Sequence, residues 1–225
     1  MTASAISGQF EAAYETKAPV YFTGARQDFV NRLPEDENAR ILEIGCGSGE
    51  TGSLALAGGR AGYYAGVELM QEPAAKAAGA LSEVVIGNIE AIDIPWQPAS
   101  FDALILSEVL EHLVDPRAVL KRLAPLVRPG GRVLASSPNI SHWRVLQQLL
   151  GGHFPATDKG VFDRTHLRWF TPETFVEMFE VAGFQVKYCG PVTPFSKRVE
   201  LLSHATGGRL DHLFMTQIAI DGVRR

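Results

Sequence analysis

A doubly wound α/β domain on a mostly parallel sheet is the fold this 225-residue chain predicts, and three observations predict it. First, a short apolar run (Ile41, Leu42, Ile44) breaks into a loop with glycines at 45, 47 and 49 and then into helix-compatible sequence. That order reads as a buried parallel strand, a tight turn and a helix start. Second, another apolar run at 61–67 ends in an acid, Glu68, roughly 20 positions past the glycine loop, where such an acid meets a bound ribose. Third, further apolar runs at 82–86, 103–106, 133–136, 184–188 and 213–220 have helical patterns or loops between them, giving seven strands in all.

The elements follow in order. Residues 9–14 suit a short helix, and 25–33 a second one, with Phe29, Val30 and Leu33 on one side and Pro34 ending it. With Tyr14, Tyr21 and Arg26, the stretch 1–38 reads either as a helical lid over a ligand or as packing over the sheet edge. A helix over 50–58 follows the glycine loop, and an Ala-rich helix spans 71–81. Gly87, Asn88 and Ile89 leave the third strand, and 92–102 is a loop into the fourth. Ser107 to His112 leave the fourth strand at its C-terminal end, where open α/β sheets bind ligands at a topological switch point. Asp115 is an N-cap with Pro116 at the first helical position. Val119, Leu120, Leu123, Leu126 and Val127 form that helix's buried face, and Pro129-Gly130-Gly131 turns the chain into strand five. Ser141 then caps a helix whose Trp143, Leu146, Leu149 and Leu150 share a face. A loop over 151–163 runs into Asp163–Thr171, Thr171-Pro172 opens a helix over 173–182, and another helix covers 195–204. No repeat or second domain is visible, so 1–225 reads as one domain.

Composition narrows the function classes. A net charge of −4 argues against broad electrostatic binding to nucleic acid or anionic membrane. No apolar run approaches the roughly 18 residues of a membrane span, and Met1–Phe10 lacks the basic start and apolar core of a signal peptide. Cys46 and Cys189 are the two cysteines, too few for a disulfide framework, and a cytoplasmic address is the expectation.

The loop pattern Gly-x-Gly-x-Gly, with Gly52 one turn on and Glu43 two residues before it, differs from the dinucleotide fingerprint. It resembles the first motif of class I S-adenosylmethionine-dependent methyltransferases. Phe101-Asp102 before strand four, Glu111-His112-Leu113 after it and Arg128-Pro129-Gly130-Gly131 before strand five resemble the same family, over about residues 20–221. The resemblance implies sheet order 3-2-1-4-5-7-6 with the last strand antiparallel, and S-adenosylmethionine as cofactor. It implies a cofactor site of Glu43, Gly45, Cys46, Gly47, Gly49, Glu68 and Leu69, with Asn88, Ile89, Ser107, Glu108, Val109 and His112. Asn88 stands where the family often has Asp, and its amide oxygen can play a similar part toward the adenine amino group. Residues 138–171 fall where the family builds its acceptor-side cap, in a way similar to a bacterial small-molecule and cell-surface glycan subgroup.

The chemistry expected is methyl transfer to a small molecule or glycan precursor at oxygen. Positioning alone supplies much of such catalysis, and an oxygen acceptor needs a base, for which histidine is suited at neutral pH. His142 and His166, both in the cap, are the candidates, each weighed against capping a helix or anchoring a loop. Trp143, Asp163, Arg164 and Trp169 are the candidate acceptor contacts, with an Asp163–Arg164 ion pair as the structural alternative. No Cys/His cluster has metal-ligand spacing, so no metal is expected. A non-catalytic binding module and a nicotinamide-dependent oxidoreductase are the rival readings, and a homodimer is left open.

Overall fold

In the computed structural model, residues 24–225 are described; the expected helix at 9–14, Tyr14 and Tyr21 lie outside them. Seven strands form one sheet in the order β3-β2-β1-β4-β5-β7-β6. These are β1 (Arg40–Ile44), β2 (Tyr63–Glu68), β3 (Glu83–Ile86), β4 (Phe101–Ser107), β5 (Val127–Pro138), β6 (Phe184–Pro191) and β7 (Gln217–Arg224). β1 through β5 pair in parallel, whereas β7 runs antiparallel to both β5 and β6. The order and the antiparallel last strand are those the resemblance implied.

Strand residues alternate between two cores, which is why the strands read as continuous apolar runs rather than as alternation. Leu42, Ile44, Leu104 and Leu106 point to one face, where they pack with α4 (Pro116–Leu123) and α6 (Pro172–Val181). Ile41, Ala103 and Ile105 point to the other, against Phe29, Val30 and Leu33 around α1 (Gln27–Val30), Ala55 of α2 (Glu50–Ala57) and Ala77 of α3 (Gln71–Ala77).

Several boundaries differ from expectation, each for a local reason. The helix expected over 25–33 is the four-residue α1 followed by turns, and α3 ends at Ala77, just before Gly79. Val127, expected on the helix after Asp115, opens β5, because Pro125 tightens the preceding turn into a 3-10 segment at Ala124–Leu126. Ser141 does not cap α5 (Trp143–Leu150): its hydroxyl donates to Asn139 Oδ1 (2.6 Å), and the cap is His142, whose Nδ1 accepts from Arg144 N at 3.3 Å. Leu150 is 90% exposed, and Trp143, Leu146 and Leu149 are also exposed, so the expected shared face is not buried; Val145 is. α7 spans Lys197–Thr206, and β7 begins at Gln217 rather than 213, since Asp211–Leu213 is a 3-10 turn. Asp115 and Thr171 cap α4 and α6 as their sequence signals indicate, the latter with a capping box to Thr174.

Candidate active site

A cavity of about 820 Å³ opens at the C-terminal ends of β1, β2 and β4, within the size range of small-molecule sites. Its first wall is the glycine loop. Gly45 N and Cys46 N both donate to Val67 O (2.8 and 3.1 Å), so the turn is stitched to β2. Gly45 has φ 73°, and a Cβ there would lie 2.5 Å from Val109 Cγ2; only glycine meets both demands. Gly47 and Gly49 also take left-handed φ, and Gly49 is the N-cap of α2. Cys46 is buried, a small filler packed toward Gly66, and burial pushes its thiol well above the ordinary range, so it is no nucleophile.

Carboxylates converge on this wall. Glu68, at the tip of β2, accepts from Gly47 N and Met70 N, both at 2.9 Å. Burial raises its pKa, and those backbone donors oppose the rise. Glu43 lies beneath the loop, fully buried, and accepts from Tyr64 Oη at 2.9 Å. Burial pushes its carboxyl up to about 7. A folded-state pKa above the ordinary 4.5 means that the native chain holds a proton the unfolded chain releases, so stability falls as pH rises from about 4.5 through about 7. Glu43→Gln should remove this component, worth about 3 kcal/mol at most. Denaturant midpoints between pH 4.5 and 8 should therefore slope less in the variant than in wild type, and parallel curves would refute the assignment.

The second wall is the tip of β4. Arg26, at the N-terminus of α1, donates to Ser107 Oγ (2.5 Å) and Ser136 Oγ (2.7 Å) while holding Asp28 with its other nitrogens. Glu108 sits at φ 53°, a left-handed conformation unusual for a side-chain-bearing residue. Its Oε2 accepts from Gln217 Nε2 at 3.0 Å. Leu69, Val109 and Ile89 also line the cavity, as does Asn88, whose Oδ1 accepts from Glu90 N at 2.9 Å.

The third wall comes from 138–171. Leu167 N and Arg168 N donate to Glu111 O (2.8 and 3.0 Å), and Ile140 N donates to Phe170 O, tying this segment to the end of β4. Asp163 Oδ1 accepts from Thr165 N (2.9 Å) and Thr165 Oγ1 (2.7 Å). His166 Nδ1 points at Val161 O (3.1 Å) and His112 Nδ1 at Thr165 O (3.2 Å), with ring centroids 4.7 Å apart. Asp163, His112 and His166 all line the cavity; His142, Trp143, Arg164 and Trp169 do not. Arg164 pairs with Asp158 instead of Asp163, and Trp169 Nε1 donates to Val161 O at 3.0 Å. Sequence reasoning passed over Glu111 and Gln217, whose places in the lining depend on tertiary packing.

The sequence model of the family described as a methyltransferase domain matches residues 20–188. The chain is an S-adenosylmethionine-dependent methyltransferase. The methyltransferase is similar to "Ubiquinone biosynthesis O-methyltransferase" of Aeromonas salmonicida (strain A449), with 31% identity over 178 residues, 72% of this chain and 70% of that protein. The protein of the same name from Xylella fastidiosa (strain M23) is 35% identical over 119 residues, 51% of this chain and about half (48%) of its own length. Among solved structures, a methyltransferase from Archaeoglobus fulgidus matches with a TM-score of 0.63 and 22% identity, covering 91% of this chain and 97% of that one. S-adenosylmethionine is therefore the methyl donor, and the glycine cradle, the buried acid at the tip of β2 and the cavity volume fit it. None of the methyltransferase's helices, among the described residues, is long and apolar enough to cross a membrane.

Proposed function

We propose that this methyltransferase acts on a hydroxyl oxygen of a small molecule, held between the glycine loop and the 138–171 segment acting as an acceptor-side cap. The observation that carries this reading is the placement of His166 and Asp163 in the same cavity as Gly47 and Glu68. The relatives' O-methyltransferase names support oxygen as the accepting atom. Apolar Leu113, Val161 and Val192 in the lining favour a hydroxylated molecule with an apolar body over a glycan precursor. All these residues come from one chain, so the reading makes no use of a homodimer. A cytoplasmic setting agrees with two cysteines carried as thiols.

When bound, S-adenosylmethionine supplies an electrophilic methyl on sulfur, so transfer breaks a sulfur–carbon bond, forms an oxygen–carbon bond and releases the hydroxyl proton. The backbone N–H groups of the loop from Gly45 to Gly49 and the N-terminus of α2 face a carboxylate favourably, with Glu43 buttressing the loop from below. Glu68 accepts from the ribose hydroxyls. Leu69 and Ile89 give the adenine apolar surface, and Asn88 meets its amino group. Ser107, Glu108, Val109 and His112 border the methionine end. His142 caps a helix outside the lining, so the acceptor-side role passes to His166, whose Nδ1–H toward a carbonyl leaves Nε2 as the basic atom. Asp163 positions it.

Titration calorimetry should show binding of S-adenosylhomocysteine but not NAD, and incubation with S-adenosylmethionine and a panel of phenols and alcohols should release S-adenosylhomocysteine. His166→Ala should lower turnover about 100-fold or more, the usual scale of a lost acid–base group, while product affinity stays within about twofold. Equal loss of affinity and turnover would make His166 structural, and absence of product binding by folded protein would overturn the site assignment.

A further inference from the structure

Two parts of the molecule that are far apart in sequence are fastened to the same short stretch, residues 111–115. The first is the turn after β3, where Asn88 and Ile89 line the cavity. Gly87 N donates to Glu68 O, and Ala91 N and Ile92 N donate to Asn88 O, so the turn is closed on itself. Arg122, on α4, holds it from behind. Its Nη1 donates to the carbonyls of Ile89 and Glu90, both at 3.2 Å, and its Nη2 to that of Ile92 at 2.8 Å. A planar guanidinium spans three carbonyls at once, which a single ammonium on a flexible stem does not match. Glu90 completes the hold, accepting from Val114 N (3.1 Å) and Asp115 N (2.8 Å) at the start of α4, where the helix dipole also favours a carboxylate.

The second part is the 138–171 segment. Arg168 Nη2 donates to Val114 O, and Leu167 N and Arg168 N donate to Glu111 O. Val114 is therefore held by Glu90 through its N–H and by Arg168 through its carbonyl. The outer part of the segment has little support of its own. Residues 151–156 are exposed throughout, as are Trp143, Leu149 and Leu150 of α5. Few buried apolar contacts put such a region at the low-stability end of a fold, so its seating on 111–114 is open to adjustment. Neither Arg122 nor Arg168 lines the cavity, whereas Glu90 does.

We propose that Glu90 is a positioning residue that joins the two sides of the cavity. By setting Val114 and Asp115 it transmits the seating of the 88–92 turn to the 138–171 segment, so that filling the cofactor site steadies the acceptor side. Arg122 makes the turn move as one piece with α4. Such coupling is reciprocal: whatever the cofactor does to the segment, the segment does to cofactor affinity. Its consequence is an order of assembly, with the acceptor held best once the cofactor is in place. This role rests on the reading above that puts the adenine at Asn88 and Ile89 and the acceptor under the cap; the shared fastening at Val114 does not.

The test measures S-adenosylhomocysteine affinity calorimetrically across a double-mutant cycle in the full-length protein. Arg168→Met, although outside the lining, should weaken binding about 5-fold, the lower end of the range for coupled sites. Glu90→Gln keeps one acceptor oxygen and should weaken binding roughly 10-fold, the scale of one hydrogen bond to a charged group. The double variant should bind no worse than Glu90→Gln alone, an interaction that two independent structural losses do not produce. Arg117→Ala, which removes a different exposed arginine of α4 from its partner Glu177, should change nothing. Amide exchange supplies a readout without ligand: Glu90→Gln should speed exchange at Leu167 and Arg168 in the free protein. S-adenosylhomocysteine should slow that exchange in wild type and far less in the variant. Additive effects of the two substitutions, or unchanged exchange at Leu167 and Arg168, would overturn the coupling. Failure of folded wild type to bind the product would instead sink the cofactor placement, and exchange in the free protein would still decide whether Glu90 fastens the segment.

Discussion

Glu68→Ala should weaken S-adenosylhomocysteine binding by about 1.5–3 kcal/mol, the range for hydrogen bonds to a charged group, which is roughly 10- to 150-fold in the dissociation constant. The structure adds a second reason for the loss. The same carboxylate holds Gly47 N and Met70 N, so alanine would remove the proposed ribose acceptor and also untie the turn proposed to receive the methionine end. Glu68→Gln separates the two, since it keeps the side chain's length and one acceptor oxygen while discarding the charge. Calorimetry should rank affinity wild type, then glutamine, then alanine. Unchanged affinity in the alanine variant would mean that the ribose lies elsewhere.

The second large effect is expected at Asp163. It is buried, and its Oδ1 satisfies both the amide and the hydroxyl of Thr165, itself 1% exposed. Asp163→Ala strands those donors at a cost of about 1–3 kcal/mol and frees the turn that carries His166. Misplacement of a reacting group by about 1 Å can cost 100-fold in rate. Turnover should therefore fall by about that factor while S-adenosylhomocysteine affinity is kept, and amide exchange should accelerate around Thr165 and His166. Normal turnover with Thr165 still protected would show that another contact sets the cap.

The strand-end walls of the cavity were legible in the sequence because each piece of them is local. Glu43, the glycines, Glu68 and Ser107–His112 sit at strand ends that their apolar runs mark, and one sheet brings those ends together. The wall built from 138–171 was not, because its partners are distant in sequence. Ser141 has the better capping chemistry, yet Asn139 takes its hydroxyl, and that leaves the cap to His142 and withdraws it from the cavity. Leu213 and Met215 look like strand residues, but the carbonyls of His212 and Met215 turn to accept from Asn139 Nδ2, so β7 starts later. Glu111, His112 and His166 come together only when the 138–171 segment folds against the end of β4, so no sequence spacing marks them as neighbours.

The placement of β7 has a kinetic consequence. β6 joins the sheet solely through β7, and β7 pairs with β5 across a wide gap in sequence, Ser136 opposite Ala219. During synthesis β6 emerges before β7, the strand it pairs with, and β5 waits for β7 on one edge. Closing so long a loop must precede any ladder it makes, so these last steps are slow. Until they finish, β5 offers a hydrogen-bonding edge to any other chain, and the exposure of nascent protein to aggregation should be greatest in that interval.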